Sequence, residues 1–191
     1  MKPDRVNAFT DGVLAIVITI MVLELKLPHE PTSDAVMEVV PLLAAYALAF
    51  VNIAIFWNNH HHMLQSVRTV NGIVLWANLS LLFCLSLIPL VIRWIGEAGL
   101  TPWPVASYGV VLVFASLAYL WLERELIAAE GAQSQIKRAV GRKAKEWLSF
   151  IEYAAAIPAA FLSPYISIAL YVAVAVMWLI PDRRFERRLQ Q

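Results

Sequence analysis

Apolar residues run along this chain in long blocks, and turn residues or charges break the blocks at intervals. Six blocks emerge: Phe9–Leu27, Met37–Asn58, Val70–Ile92, Val105–Leu122, Trp147–Leu162 and Tyr165–Ile180. Most approach the ~20 residues with which an α-helix crosses a hydrocarbon core about 30 Å thick. The pattern therefore predicts six transmembrane helices. Ser163-Pro164 divides the last two blocks, which are the shorter pair and read as a tight helical hairpin. Pro158 is expected to kink the fifth helix rather than end it. No internal repeat, low-complexity tract or soluble domain interrupts the series, so residues 1–191 read as one six-helix transmembrane domain.

Composition sharpens the class. Sixty per cent of the residues are apolar and the mean hydropathy is +0.66. Only 15% are charged, against roughly 25% in soluble proteins. Such a chain has too little polar surface to cover its own core, which makes it an all-α integral membrane protein. A net charge of +1 excludes a strongly basic nucleic-acid binder. The lone Cys84 excludes a disulfide scaffold and reads as packing inside an apolar run.

Charge bias predicts the orientation. Of the 15 Lys and Arg residues, all but Lys26 and Arg93 fall at the N-terminus, the second-to-third loop, the fourth-to-fifth loop or the C-terminus. Six spans then put both termini in the cytoplasm. The basic segment 137–145 and the pairs Arg183-Arg184 and Arg187-Arg188 read as solvated anchors. Lys2 and Arg5 precede the first block, but Glu24-Leu-Lys-Leu-Pro follows it with no small-residue cleavage site. The block is expected to be a retained helix and not a signal peptide.

That first helix holds the candidate chemistry. Its uncharged run, Gly12–Leu23, measures only about 18 Å as a helix. The membrane must therefore take in Asp11, Glu24 or both, and ionisable groups at such depth face protein or water. Ile16, Thr19, Ile20, Leu23 and Leu27 form one stripe at i, i+3, i+4, i+7 and i+11. By itself, such a stripe is more often packing than pore.

The segment Arg5-x-x-x-Phe9-Thr10-Asp11-Gly12-Val-x-Ala15-Ile16-x-x-Thr19-Ile20 resembles the opening signature of the transmembrane-protein-175 potassium channels. The family's hallmark there is Arg-x-x-x-Phe-Ser-Asp, with Thr10 replacing the usual serine. Trp57-x-x-His60 is similar to the family's motif at the end of the second helix, and Asn78-Leu79 and Pro89 fall where the third helix carries similar residues. One six-helix repeat per chain resembles the prokaryotic members, which implies a place in the cell membrane. The resemblance implies a homotetramer whose four first helices line a central pore. By position, Ile16 would form the narrowest ring, with Ile20 and Leu23 as the next rings outward. Thr19 would offer hydroxyl oxygens to a partly dehydrated potassium ion passing nearby, and Ile16 and Thr19 together would set selectivity. Arg5, Phe9, Thr10, Asp11, Trp57 and His60 would form a network holding the helix in place. The expected function is a potassium-preferring cation channel with a hydrophobic constriction, without cofactor or resident metal. Its expected partners are other copies of itself, membrane lipid and permeating potassium.

The remaining residues refine this. No Thr-Val-Gly-Tyr-Gly segment occurs, so a carbonyl filter of that type is not encoded. Asp11 needs a partner at membrane depth, and His60 or the Trp57 indole N–H would satisfy it. His60, His61 and His62 point about 100° apart on a helix and cannot converge on one metal ion. His61 and His62 read as interface residues, open to a pH-sensing role. Glu24, Glu30, Asp34 and Glu38 give the outer mouth an acidic cast, partly cancelled by Lys26. Glu152 reads as a structural carboxylate, and Trp94, Trp103, Trp147 and Trp178 as an aromatic belt. A secondary transporter is the alternative, as is a proton-conducting channel of the same architecture. A membrane enzyme lacks a His-Glu-x-x-His or Gly-x-Ser-x-Gly motif.

Overall fold

The computed structural model describes residues 2–25, 32–130 and 144–179, and every element among them is helical. Helix α1 spans Pro3–Leu23, α2 Ser33–Gln65, α3 Gly72–Ser86 and α4 Ile88–Ala98. Helix α5 spans Pro102–Glu130, α6 Ala144–Leu162 and α7 Pro164–Leu179. Helices α3 and α4 together make one crossing, Gly72–Ala98, so the seven helices correspond to the six expected spans. Among the described residues, four segments are long and apolar enough to cross a membrane: α1, α2, α3 with α4, and α5. Helix α7 is shorter but apolar. It follows α6 across Ser163 alone, as the hairpin reading expected.

Local chemistry explains the boundaries. Pro3 opens α1, where its missing N–H costs nothing. The Thr32 and Asn71 side chains cap α2 and α3 by accepting from the backbone N–H groups of Ala35 and Val74. Pro89 has no N–H to offer the preceding turn, so the third span tightens before it. There Leu87 N–H bonds Cys84 at 3.2 Å, and the α-helical pattern resumes with Val91 N–H to Leu87. Helix α6 runs on through Pro158, as expected, and α2 through Pro41. The expected ends at Leu27 and Ile180, and most of the basic segment 137–145, lie outside the described residues.

Helices α5, α6 and α7 pack against one another, with α3 on the other side of α5. A polar clamp ties this body together. The Asn52 amide donates to the Tyr108 hydroxyl at 3.0 Å, and its carbonyl oxygen accepts from Tyr153 at 3.1 Å. Tyr171 donates to the Val105 carbonyl at 3.0 Å. Four helices thus satisfy one another's buried polar groups, as an apolar interior requires.

Gly109 marks the tightest approach in this body. A Cβ there would overlap the Tyr171 hydroxyl and lie 3.0 Å from Ile157. Tyr171 is buried and pinned at its hydroxyl, so it cannot yield. Gly109→Ala is expected to lower the thermal midpoint of the purified protein. Overpacking costs about 1–3 kcal/mol, more than the roughly 1 kcal/mol of helix propensity that alanine gains.

Candidate functional site: the first helix and its anchors

Helix α1 packs against α2, α3 and α4 along one face only. Val6, Thr10, Leu14, Val17 and Met21 are buried there, a spacing of four, four, three and four that holds one side of a helix. The opposite side is bare. Ile16 is 59% exposed, Ile20 44% and Leu23 80%, and Phe9, Thr19 and Arg5 are exposed with them. From Ile16 to Leu23, the stripe singled out in the sequence is therefore the face that its own chain leaves uncovered, and Leu27 lies outside the described residues. The Thr19 hydroxyl donates to the Ile16 carbonyl at 2.9 Å, which spends its hydrogen inside the helix and leaves oxygen lone pairs free.

Two polar joints, one buried and one exposed, tie the first half of the helix to its neighbours. In the first, Asn78 of α3 donates from its amide to the Thr10 hydroxyl at 3.1 Å. Its carbonyl oxygen lies 2.6 Å from His60 Nε2, which must then carry the proton. Thr10, His60 and Asn78 are all buried. In the second, the Trp57 indole N–H donates to Asp11 at 2.7 Å. Of the two partners expected for Asp11, the geometry gives it Trp57, while His60 turns to Asn78. Arg5 and Phe9 stand apart from both joints on the bare face. Among the described residues, Arg5 has no ion-pair partner.

The three consecutive histidines diverge. His61 stacks on the Trp57 ring at 5.6 Å, with its nitrogens 3.3 Å from the Asn7 amide and 2.7 Å from the Gln65 amide. His62 meets His61 edge to face. Asn7 and Asn52 were not singled out in the sequence. Each is a lone amide beside or within an apolar run, and its side-chain partners lie tens of residues away.

At the other end of α1, Glu24 lies 3.7 Å from Arg93 of α4, and Arg93 also pairs with Glu97 at 3.1 Å. Lys26 and Glu30 lie outside the described residues. Glu152 is half-buried on α6, with one carboxylate oxygen meeting no hydrogen-bond donor among the described residues. Trp94, Trp103 and Trp147 are exposed, whereas Trp178 turns inward and donates to the Ser149 hydroxyl at 2.8 Å.

Comparison with known proteins places this arrangement. The family described as "Endosomal/lysosomal potassium channel TMEM175" matches residues 5–89, which run from α1 to the start of α4. A potassium channel of Chryseobacterium sp. (strain P1-3) is 47% identical over 191 residues, covering 100% of each chain. A potassium channel of Streptomyces collinus is 32% identical over 127 residues, 61% of this chain and 62% of that one. The fold is similar to the crystal structure of a lysosomal potassium-selective channel TMEM175 homolog from Chamaesiphon minutus. The TM-score is 0.81 at 20% identity, covering 93% of this chain and 96% of that one. The protein is a multi-pass integral protein of the cell membrane, and it belongs to the TMEM175 family of potassium channels.

Proposed function

We propose that four copies of this chain close around a central axis with their α1 helices innermost and both termini cytoplasmic, forming a potassium-preferring channel. The observation that carries this reading is the bare aliphatic face of α1, opposite the face that the same chain buries. Fourfold closure would turn Ile16, Ile20 and Leu23 into successive apolar rings, the first and last about 10 Å apart along the axis.

An aliphatic neck works by hydration. It resists water, and it penalises most the ions that hold their water tightly. Potassium gives up hydration water more readily than sodium, so the neck favours potassium. Thr19 supports this, because its hydroxyl already donates inward and its oxygen can only accept. That leaves an acceptor, with no competing donor, beside the neck where a cation sheds water.

Two measurements test the reading. Purified protein in liposomes should pass potassium faster than sodium down equal gradients. Brief glutaraldehyde treatment of the purified protein should give a cross-linking ladder that ends at four times the 21.4 kDa protomer. Flux without potassium preference would remove the selectivity role of the neck. Cross-linking that stops at dimers would remove the fourfold ring.

A further inference from the structure

Near the end of the bundle where α5 and α7 begin, α2, α4, α5 and α7 surround a cavity of about 200 Å³. Ile95, Val105, Tyr108 and Tyr171 make its buried floor. The two tyrosine rings meet there edge to face at 5.2 Å. Their hydroxyls are engaged elsewhere, Tyr108 with Asn52 and Tyr171 with the Val105 carbonyl. Apart from three tyrosines, every lining side chain is apolar. Ala44 and Ala45 bring only methyl groups to the α2 wall, which leaves the space unfilled. The side between α2 and α7 is open, because Ala44, Tyr165 and Val172 line the cavity and are themselves exposed.

We propose that this cavity binds the acyl chain of a membrane phospholipid, which enters sideways between α2 and α7. Water is a poor occupant, since a buried water needs about two to four polar partners. The floor offers two hydroxyls, each already hydrogen-bonded. An apolar cavity of about 150 Å³ stays dry and takes up benzene or xenon instead. In an integral membrane protein, the apolar molecule that meets such an opening is lipid. Depth agrees. Tyr108 and Tyr171 lie six and seven residues into α5 and α7, about 10 Å below the helix ends. That is less than half of a hydrocarbon core about 30 Å thick, so the acyl chains of one leaflet reach it. Trp103 and Phe161 meet edge to face at 5.0 Å beside the same ends, exposed as aromatic residues at a headgroup boundary are. Helix α7 packs against α2, α5 and α6, whereas α1 packs against α2, α3 and α4. With α1 innermost, as in the channel reading on which this placement rests, the opening faces outward to lipid. A chain seated there fills the hole and adds dispersion contacts to four helices at once.

The test uses the full chain in liposomes of phosphatidylcholine that carries a photoactivatable diazirine midway along one acyl chain. After illumination, mass spectrometry maps the labelled residues. Lipid around the protein labels exposed side chains wherever they lie, but only a chain inside the cavity reaches the buried Ile95, Tyr108 and Tyr171. Labelling at those positions is the result expected of the wild type. Ala45→Leu and Ala44→Phe, which fill the space, should each lose it while exposed residues elsewhere stay labelled. No labelling of the floor in the wild type overturns the proposal, and a neighbouring copy seated over the opening would give that outcome. Floor labelling that a folded, filled variant retains overturns it too. The wild-type arm decides even if a variant fails to fold. Labelling needs no ion flux, and the flux and cross-linking tests above need no label, so either reading can fail alone.

Discussion

Ile16→Asn is expected to raise potassium flux by about an order of magnitude and to erase much of the preference over sodium. The side chain is 59% exposed on the uncovered face of α1, so the substitution disturbs little of the protomer's own packing. In a fourfold neck it places four amides where four sec-butyl groups stood. Amides hold water, and a wet neck no longer asks an ion to surrender its hydration shell. A barrier lowered by only about 1.4 kcal/mol increases the rate tenfold. The measurement is paired potassium and sodium flux in liposomes, with the variant's thermal midpoint as a folding check. Unchanged currents for both ions would move the constriction away from Ile16. Leu14→Asn, on the buried face of the same helix, should behave differently and fail to fold, because it puts an amide into the seam with the neighbouring helices.

The second large effect is expected at Asn78. Asn78→Leu keeps the branched outline with bulkier methyl groups and strands two buried partners, the Thr10 hydroxyl and the His60 ring N–H. A buried donor or acceptor left unpaired costs about 1–3 kcal/mol, so the pair together should cost roughly 2–6 kcal/mol. Thermal unfolding of the purified channel should show this as a much lower midpoint. Thr10→Ser retains the hydroxyl and should cost no more than about 1 kcal/mol. Thr10→Val removes the hydroxyl and should fall between the two. If Asn78→Leu melts with wild type, the joint contributes nothing to holding α1.

Much of this molecule can be read from the order of its residues. The six spans follow from block length, and the hairpin between α6 and α7 from Ser163-Pro164. The stripe on α1 follows from a 3.6-residue period, but not that it is the bare side, because Leu14, Val17 and Met21 opposite are just as apolar. Other features needed the third dimension. Helix α2 continues past Asn58 through a polar run, because Asn59 bonds back to the Ile55 carbonyl and His60 is buried against α3. Hydropathy sees only that the apolar block has stopped. The break at Leu87 falls inside an apolar block that reads as continuous. Asn52 looks like a stray amide until Tyr108 and Tyr153 arrive from two other helices. The separation of Arg5 and Phe9 from Asp11 and Trp57 also depends on which neighbours surround each side of the helix.

The Asn52 clamp has a mechanical consequence. It cross-braces α2, α5 and α6, and the close fit of Tyr171 on Gly109 locks α7 to the same body. Such a frame resists deformation, since shifting any one member strands polar groups on the others. Helix α1 lies outside the frame. Between its ends it meets its neighbours through the side chains of Leu14, Val17 and Met21, and aliphatic contacts carry no directional bonds to break. Its polar fastenings sit in its first half, at Asn7, Thr10 and Asp11, and just past its last residue, at Glu24. The protomer is thus built like a chassis with a rod pinned beside it, and the direction in which the bare face points rests on those few pins.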